Sequence, residues 1–123
     1  MLKQFSLIVV GGGLGSLIRY LVSLAAFGIL KEYPLGTLTV NIVGCFLIGL
    51  LLPLFSSWNE SWRLFIIVGV LGGLTTFSSY GSETVTLFKR SFALGGAHLL
   101  LNNALGLAAV WLGETIATKF KGG

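Results

Sequence analysis

The chain has 123 residues, of which 54% are hydrophobic and 10% charged, with a mean hydropathy of +0.93; an ordinary soluble domain carries about 25% charged residues, so a water-soluble globule is excluded. A total of 18 glycines against 2 prolines, set among long apolar runs, fits neither a collagen-like nor a disordered segment. The formal net charge of +4 is the balance of 8 Lys and Arg against 4 acidic residues, and the basic residues are scattered along the chain instead of forming one patch, so nucleic acid is not an expected partner.

The charges fall where a bilayer allows them. The stretches 33–59, 64–82 and 91–113 hold no Asp, Glu, Lys or Arg, and 4–30 holds only Arg19. A hydrocarbon core of about 30 Å takes about 20 helical residues to cross. Helix also satisfies its own backbone where there is no water to do so. The predicted elements are therefore four transmembrane helices at about 5–27, 36–55, 62–88 and 93–117. The expected fold class is an all-α membrane protein with a broken third helix, a single transmembrane domain over 1–123. It is expected to sit in lipid as a multi-pass protein of a cell membrane. Loops this short leave no extramembrane domain to host an enzyme.

The opening MLKQFSLIVVGGG is read as the first span, because no small-x-small cleavage site leads into a polar region. In this helix Gly11 and Gly15 make a G-x-x-x-G step that lets another helix approach closely. The glycines are not a dinucleotide fingerprint, whose sixth position is Ser16 here and which would follow a strand. Arg19 is costly near mid-membrane. Two readings stay open for it: snorkelling or pairing with Glu83 or Glu114, and direct contact with a translocated anion in a vestibule.

The second helix starts at Pro34, where a missing N–H is harmless. Thr37 and Asn41 lie one turn apart, and Gly44 and Cys45 continue the face with small side chains. An amide this deep is either interhelical glue or a pathway group. Cys45 is the single cysteine, forms no intrachain disulfide and carries no message about redox compartment.

The third helix contains GGLTTFSSYGS at 72–82, eleven residues with three glycines and five Ser or Thr. A break is expected at 72–75, leaving carbonyls and N–H groups for protein, water or an ion to satisfy. Phe77 and Tyr80 are spaced i, i+3 and so share a face. They either line a passage or pack as plain core aromatics.

The fourth helix sets His98, Asn102 and Gly106 at successive i+4 positions, with Asn103 alongside, as a polar stripe facing the bundle interior. One His without a second ligand makes a poor metal site. His98 also has no carboxylate within a turn to orient it, and Glu32, Glu60, Glu83 and Glu114 mostly fall at span ends. No catalytic constellation is expected, and the protein is not expected to be an enzyme.

Four spans place Lys3, Arg63, Lys119 and Lys121 on one side and Lys31, Lys89 and Arg90 on the other. Orientation is set by a Lys/Arg excess on the cytoplasmic side, and four against three is nearly no instruction. The chain is expected to insert both ways up and to pair as an antiparallel dual-topology homodimer with its two-fold axis in the membrane plane.

Taken together, GGGLGSLIRYL at 11–21, PLGTLTVNIVGCFLIGL at 34–50 and GVLGGLTTFSSYGSE at 69–83 resemble the Fluc (CrcB) fluoride channels over nearly the whole chain. The resemblance implies passive export of fluoride through two pores per antiparallel homodimer, with a structural Na+ buried at the centre. Residue by residue, Asn41 matches the pore asparagine, Phe77 the first aromatic of a phenylalanine box, and Tyr80 the place of the second, FSSY standing for the more usual FSTF. The carbonyls of Gly72 and Thr75 match those that hold the sodium, and Thr76 and Ser78 lie beside them as candidates for a polar track. His98 and Asn102 stand where the usual pattern has a Tyr and then a Ser, and Gly106 where some members have another Ser.

Elementary chemistry agrees with that implication. Fluoride is acceptor-only, so a pore must replace its water with donors. This chain offers the NH₂ of Asn41, the hydroxyls of Thr76, Ser78 and Tyr80, the amide of Asn102 and the positive ring edge of Phe77. Two other classes share the size and span count. A proton-coupled small multidrug exporter relies on a Glu in its first helix, where this chain has Arg19, and a non-transporting scaffold gives no reason for the polar break.

Overall fold

The computed structural model describes residues 1–122. They form α1 (Leu2–Ile29), α2 (Leu35–Leu54) with a 3-10 turn at Phe55–Ser57, α3 (60–74), α4 (Phe77–Arg90) and α5 (Phe92–Gly122). α3 and α4 together make the third span. Four segments are thus long and apolar enough to cross a membrane: Leu2–Ile29, Leu35–Ser57, Glu60–Arg90 and Phe92–Gly122. Each runs a few residues past its predicted ends, because the apolar run stops before the helix does. Lys3 at one end and Thr115 to Lys121 at the other carry on the helix, and no glycine with positive φ or proline interrupts them.

Local chemistry sets the boundaries between spans. Pro34, at φ −76°, occupies the N-cap of α2. The Asn59 side chain accepts the Ser61 N–H at 2.8 Å and starts α3. A single extended residue, Ser91, separates α4 from α5.

Glycine holds the spans together. Lipid tails are as apolar as leucine, so helices in a bilayer associate through close packing and polar contacts rather than hydrophobic burial. α1 buries only Gly11, Gly15 and Ala26. A Cβ on Gly11 would strike the Phe65 carbonyl and lie 3.0 Å from the Gly69 Cα, and one on Gly15 would strike the Val70 carbonyl and lie 2.8 Å from the Leu74 nitrogen. The reverse holds for Gly73, where a Cβ would meet the Gly12 carbonyl and the Ser16 nitrogen. The predicted Gly11/Gly15 step therefore docks on a matching Gly69/Gly73 step of the third span. α2 and α5 repeat the device, with Gly49 against Val110 and Gly113 against Phe46 and Leu50. Between these seams Val40, Leu71 and Leu74 form the buried apolar cluster. Residues Leu64–Leu71 of α3 wind as a π-helix, an irregularity frequent near functional sites.

Candidate functional site

The third span breaks at Thr75 and Thr76, not across 72–75. Gly72 keeps helical angles (φ −62°, ψ −36°), whereas Thr75 (ψ 155°) and Thr76 (φ −149°, ψ 123°) are extended. The side chains around the break explain its position. Thr75 N–H and Oγ1 both donate to the Leu71 carbonyl, at 3.2 and 3.0 Å, and its methyl fills the notch left by Gly44. Thr76 Oγ1 accepts the Ser79 N–H at 3.2 Å and so caps α4.

Asn41 on α2 completes the break. Its Oδ1 accepts the Thr76 N–H at 2.9 Å, and its Nδ2 donates to the Thr76 carbonyl at 3.2 Å. Of the two readings open for this amide, interhelical glue is what the geometry displays, and the same side chain also faces a cavity. In an unbroken helix the Thr76 N–H would bond the Gly72 carbonyl and the Ser79 N–H the Thr75 carbonyl. Both donors are diverted to side chains, so the Gly72 and Thr75 carbonyls are among those the break releases, beside those of Gly73 and Leu74.

That cavity has a volume of about 400 Å³ and is lined by Asn41, Gly72, Thr75, Thr76, Phe77, Tyr80 and Asn102, together with Cys45 and Asn103. Phe77 is 82% exposed in the single chain, so it is not a core aromatic. Its ring lies 5.5 Å from that of Tyr80, which is buried. The Tyr80 hydroxyl accepts from Asn103 Nδ2 at 2.8 Å and keeps its own proton to donate. Ser78 is exposed beside the cavity, its Oγ 3.4 Å from Thr76 Oγ1.

His98 departs from expectation. Counted with the pore groups in the sequence, it is fully buried and lines neither cavity. It also has a carboxylate partner, which its own helix does not offer within a turn. Nε2 lies 3.2 Å from Glu83 Oε2, while Nδ1 lies 3.0 Å from the Tyr33 hydroxyl and 3.3 Å from Asn102 Nδ2. Glu83 reaches it because α4 folds back on α5 at Ser91, a tertiary contact that no spacing within one helix reports. The other Glu83 oxygen accepts from Thr37 Oγ1 at 2.7 Å. Asn102 Nδ2 also donates to the His98 carbonyl at 2.9 Å, and its Oδ1 accepts from Asn41 Nδ2 at 3.0 Å. One hydrogen-bonded chain therefore runs from Thr37 through Glu83, His98, Asn102 and Asn41 to the backbone of Thr76. Glu83 and Tyr33 are the partners of His98 that the sequence reading did not place beside it.

A second cavity, about 360 Å³, lies at the far end of that chain, lined by Thr37, Glu83, Tyr33, Lys31, Glu32 and Arg90 among others. Burial, and then the Glu83 charge, push the Tyr33 hydroxyl above its ordinary pKa and keep it protonated. Arg90 lies 3.7 Å from Glu32 at the mouth, an exposed pair worth little to stability. Arg19 is half-buried on α1, lines neither cavity and forms no ion pair among the described residues. Of the readings left open for Arg19, pairing with Glu83 or Glu114 is not formed among the described residues: Glu83 bonds Thr37 and His98, and Glu114 is exposed and in no ion pair.

Comparison with known proteins adds an independent line. The family described as CrcB-like protein, Camphor Resistance (CrcB), matches residues 6–114. The chain is 42% identical over 121 residues to a fluoride-specific ion channel FluC of Solibacter usitatus, covering 94% of this chain and 99% of that one. It is 42% identical over 116 residues to that of Elusimicrobium minutum, covering 92% of each, and 40% identical over 118 residues to that of Helicobacter pylori, covering 91% of each. The chain belongs to the CrcB-like family.

Proposed function

With membership of that family as the premise, we propose that this chain is a passive fluoride-selective channel of a cell membrane and not an enzyme, the bacterial inner or plasma membrane being its location. The observation that carries the reading is the cavity at the helix break, where polar donors gather at mid-span beside an aromatic pair. Tyr80 brings an O–H not committed elsewhere, and Thr76 and Ser78 bring hydroxyls. Asn41 and Asn102 bring amides whose N–H groups are already bonded to protein oxygen or nitrogen. A fluoride ion moving past them exchanges one acceptor for another, so no donor is left bare before or after it passes. The positive edge of the Phe77 ring adds a weak, compact attraction that favours a small, hard anion.

Phe77 stands 82% exposed at the cavity edge, and the basic residues divide four against three between the two sides. Both features support an antiparallel dual-topology homodimer with two pores, in which the exposed ring meets the partner. The Gly72 and Thr75 carbonyls are fitted to hold Na+, since hard oxygens released from the helical ladder suit a hard cation, and a two-fold axis doubles them. When bound, such an ion supplies a fixed positive charge between the anion paths.

The test is purified protein in liposomes with a fluoride electrode. Rapid fluoride efflux without chloride efflux and without an imposed proton gradient is the expected result. Efflux that requires a proton gradient would indicate an exporter, and no efflux would leave a scaffold.

A further inference from the structure

Between the two cavities stands a single fully buried imidazole, and the hydrogen-bond directions around it are fixed. The Thr76 peptide N–H can only donate, so the oxygen of Asn41 must face it and the Asn41 nitrogen must face Asn102. The Asn102 oxygen then accepts, and its NH₂ is left pointing at His98 Nδ1. On the other side Nε2 meets the Glu83 carboxylate, which the Thr37 hydroxyl already supplies with a donor. His98 is therefore a neutral imidazole with its proton on Nε2, and Nδ1 accepts from Asn102 and Tyr33.

We propose that His98 is a proton-operated positioning residue, and that binding a second proton at Nδ1 opens the way between the two cavities for fluoride. The inference rests on the channel reading above. A proton on Nδ1 turns an acceptor into a donor that faces two donors. Tyr33 answers by rotating its hydroxyl, but the Asn102 NH₂ has no lone pair to offer and must leave, giving up its bond to the His98 carbonyl as well. Asn102 and, through it, Asn41 then turn N–H groups into the larger cavity, where an anion accepts them. The same proton balances the Glu83 charge, which in its absence repels an anion entering from the smaller cavity.

The surroundings leave this proton few competitors. Glu83 and Tyr80 face His98 from α4, and Tyr33 faces it from the connection before α2. α2 presents the neutral Thr37 and Asn41 nearby, while Cys45 lies further along, against Gly106. Arg90 and Glu32 bond each other at the mouth of the smaller cavity, which Lys31 also lines. No side chain of α1 or α3 hydrogen-bonds to His98 among the described residues.

His98 is the one histidine of the chain, so imidazole ¹⁵N resonances report it alone. In the purified full-length protein they should show the Nε2–H tautomer at alkaline pH, and an Nδ1–H tautomer would overturn the inference. Fluoride efflux from liposomes, corrected at each pH for leak through protein-free liposomes, should rise on acidification and fall by up to about tenfold per pH unit on its alkaline limb. His98→Gln, which fills the space and cannot titrate, should flatten that profile. Tyr33→Phe removes the hydroxyl that rotates to accept from a protonated Nδ1 and should weaken the rise of efflux on acidification. It guards the test should the glutamine variant fail to fold. Efflux independent of pH in the wild type, or the same profile in His98→Gln, overturns this inference alone. No fluoride efflux at any pH overturns the channel reading instead.

Discussion

Replacing Asn41 with Leu keeps the volume of the side chain and removes its amide, so the experiment isolates three hydrogen bonds: 2.9 and 3.2 Å to the Thr76 backbone and 3.0 Å to Asn102. Side-chain hydrogen bonds between membrane helices average about 0.6 kcal/mol each, which puts the loss near 2 kcal/mol. The three groups left without partners cost about 1–3 kcal/mol each, which raises the loss to about 3–9 kcal/mol if Thr76 stays extended. The chain has a cheaper response. Freed from Asn41, the Thr76 N–H lies in sequence position to take back the Gly72 carbonyl, and the third span can close into one helix. The expected outcome is thus destabilisation of about 2 kcal/mol in equilibrium unfolding, together with slowed hydrogen exchange at Thr76 and loss of fluoride efflux. A variant destabilised by less than about 0.5 kcal/mol, with exchange and efflux unchanged, would refute the claim that Asn41 holds the break open.

Four shorter predictions follow from other parts of the structure. Gly15→Leu should part α1 from the third span at a cost of about 1–3 kcal/mol or more, whereas Gly13→Leu, with nothing within 4 Å of its Cβ position, should unfold like the wild type. Phe77→Ile should leave the fold of the single chain intact, because the ring is 82% exposed there, and the protein should still purify as a dimer, yet efflux should be abolished or sharply reduced; full efflux would remove Phe77 from the pathway. Two or three Lys added to the 31–33 connection should force one orientation and lower activity, and an oppositely biased copy should restore it, with one-sided labelling of the unmodified chain as the contrary result. Exchange of sodium for a large organic cation during purification should slow efflux, and indifference to it would mean that water satisfies the Gly72 and Thr75 carbonyls.

Much of this architecture is legible in the sequence because a bilayer simplifies the problem. Runs free of charge, or holding only Arg19, mark the four spans, and the Gly11/Gly15 spacing announces a close helix contact before its partner on the third span is known. Density of Gly, Ser and Thr locates the break to within a few residues. Its exact position escapes such reasoning, since Thr75 and Thr76 are selected by Asn41, a residue 35 positions away. His98 escapes for the same reason. Its partners Glu83 and Tyr33 lie 15 and 65 positions off, and only the fold makes one network of them. Phe77 and Tyr80 share a face as their spacing demands, but nothing in that spacing separates the exposed ring from the buried one.

The interrupted third span has an electrostatic consequence. A continuous membrane helix carries its partial charges to the headgroups, where water and ions screen them. Here α3 ends and α4 begins inside the apolar layer, so a carbonyl-rich negative end and an amide-rich positive end of about half an elementary charge each face one another at the centre. Thr76 and Ser79 have their N–H groups capped, which leaves the amides of Phe77 and Ser78 as the donors of the positive end without a partner among the described residues. A single discontinuity in one chain thereby offers opposite poles to opposite ions, and it does so with peptide groups alone, which neither titrate nor need a charged side chain buried in lipid.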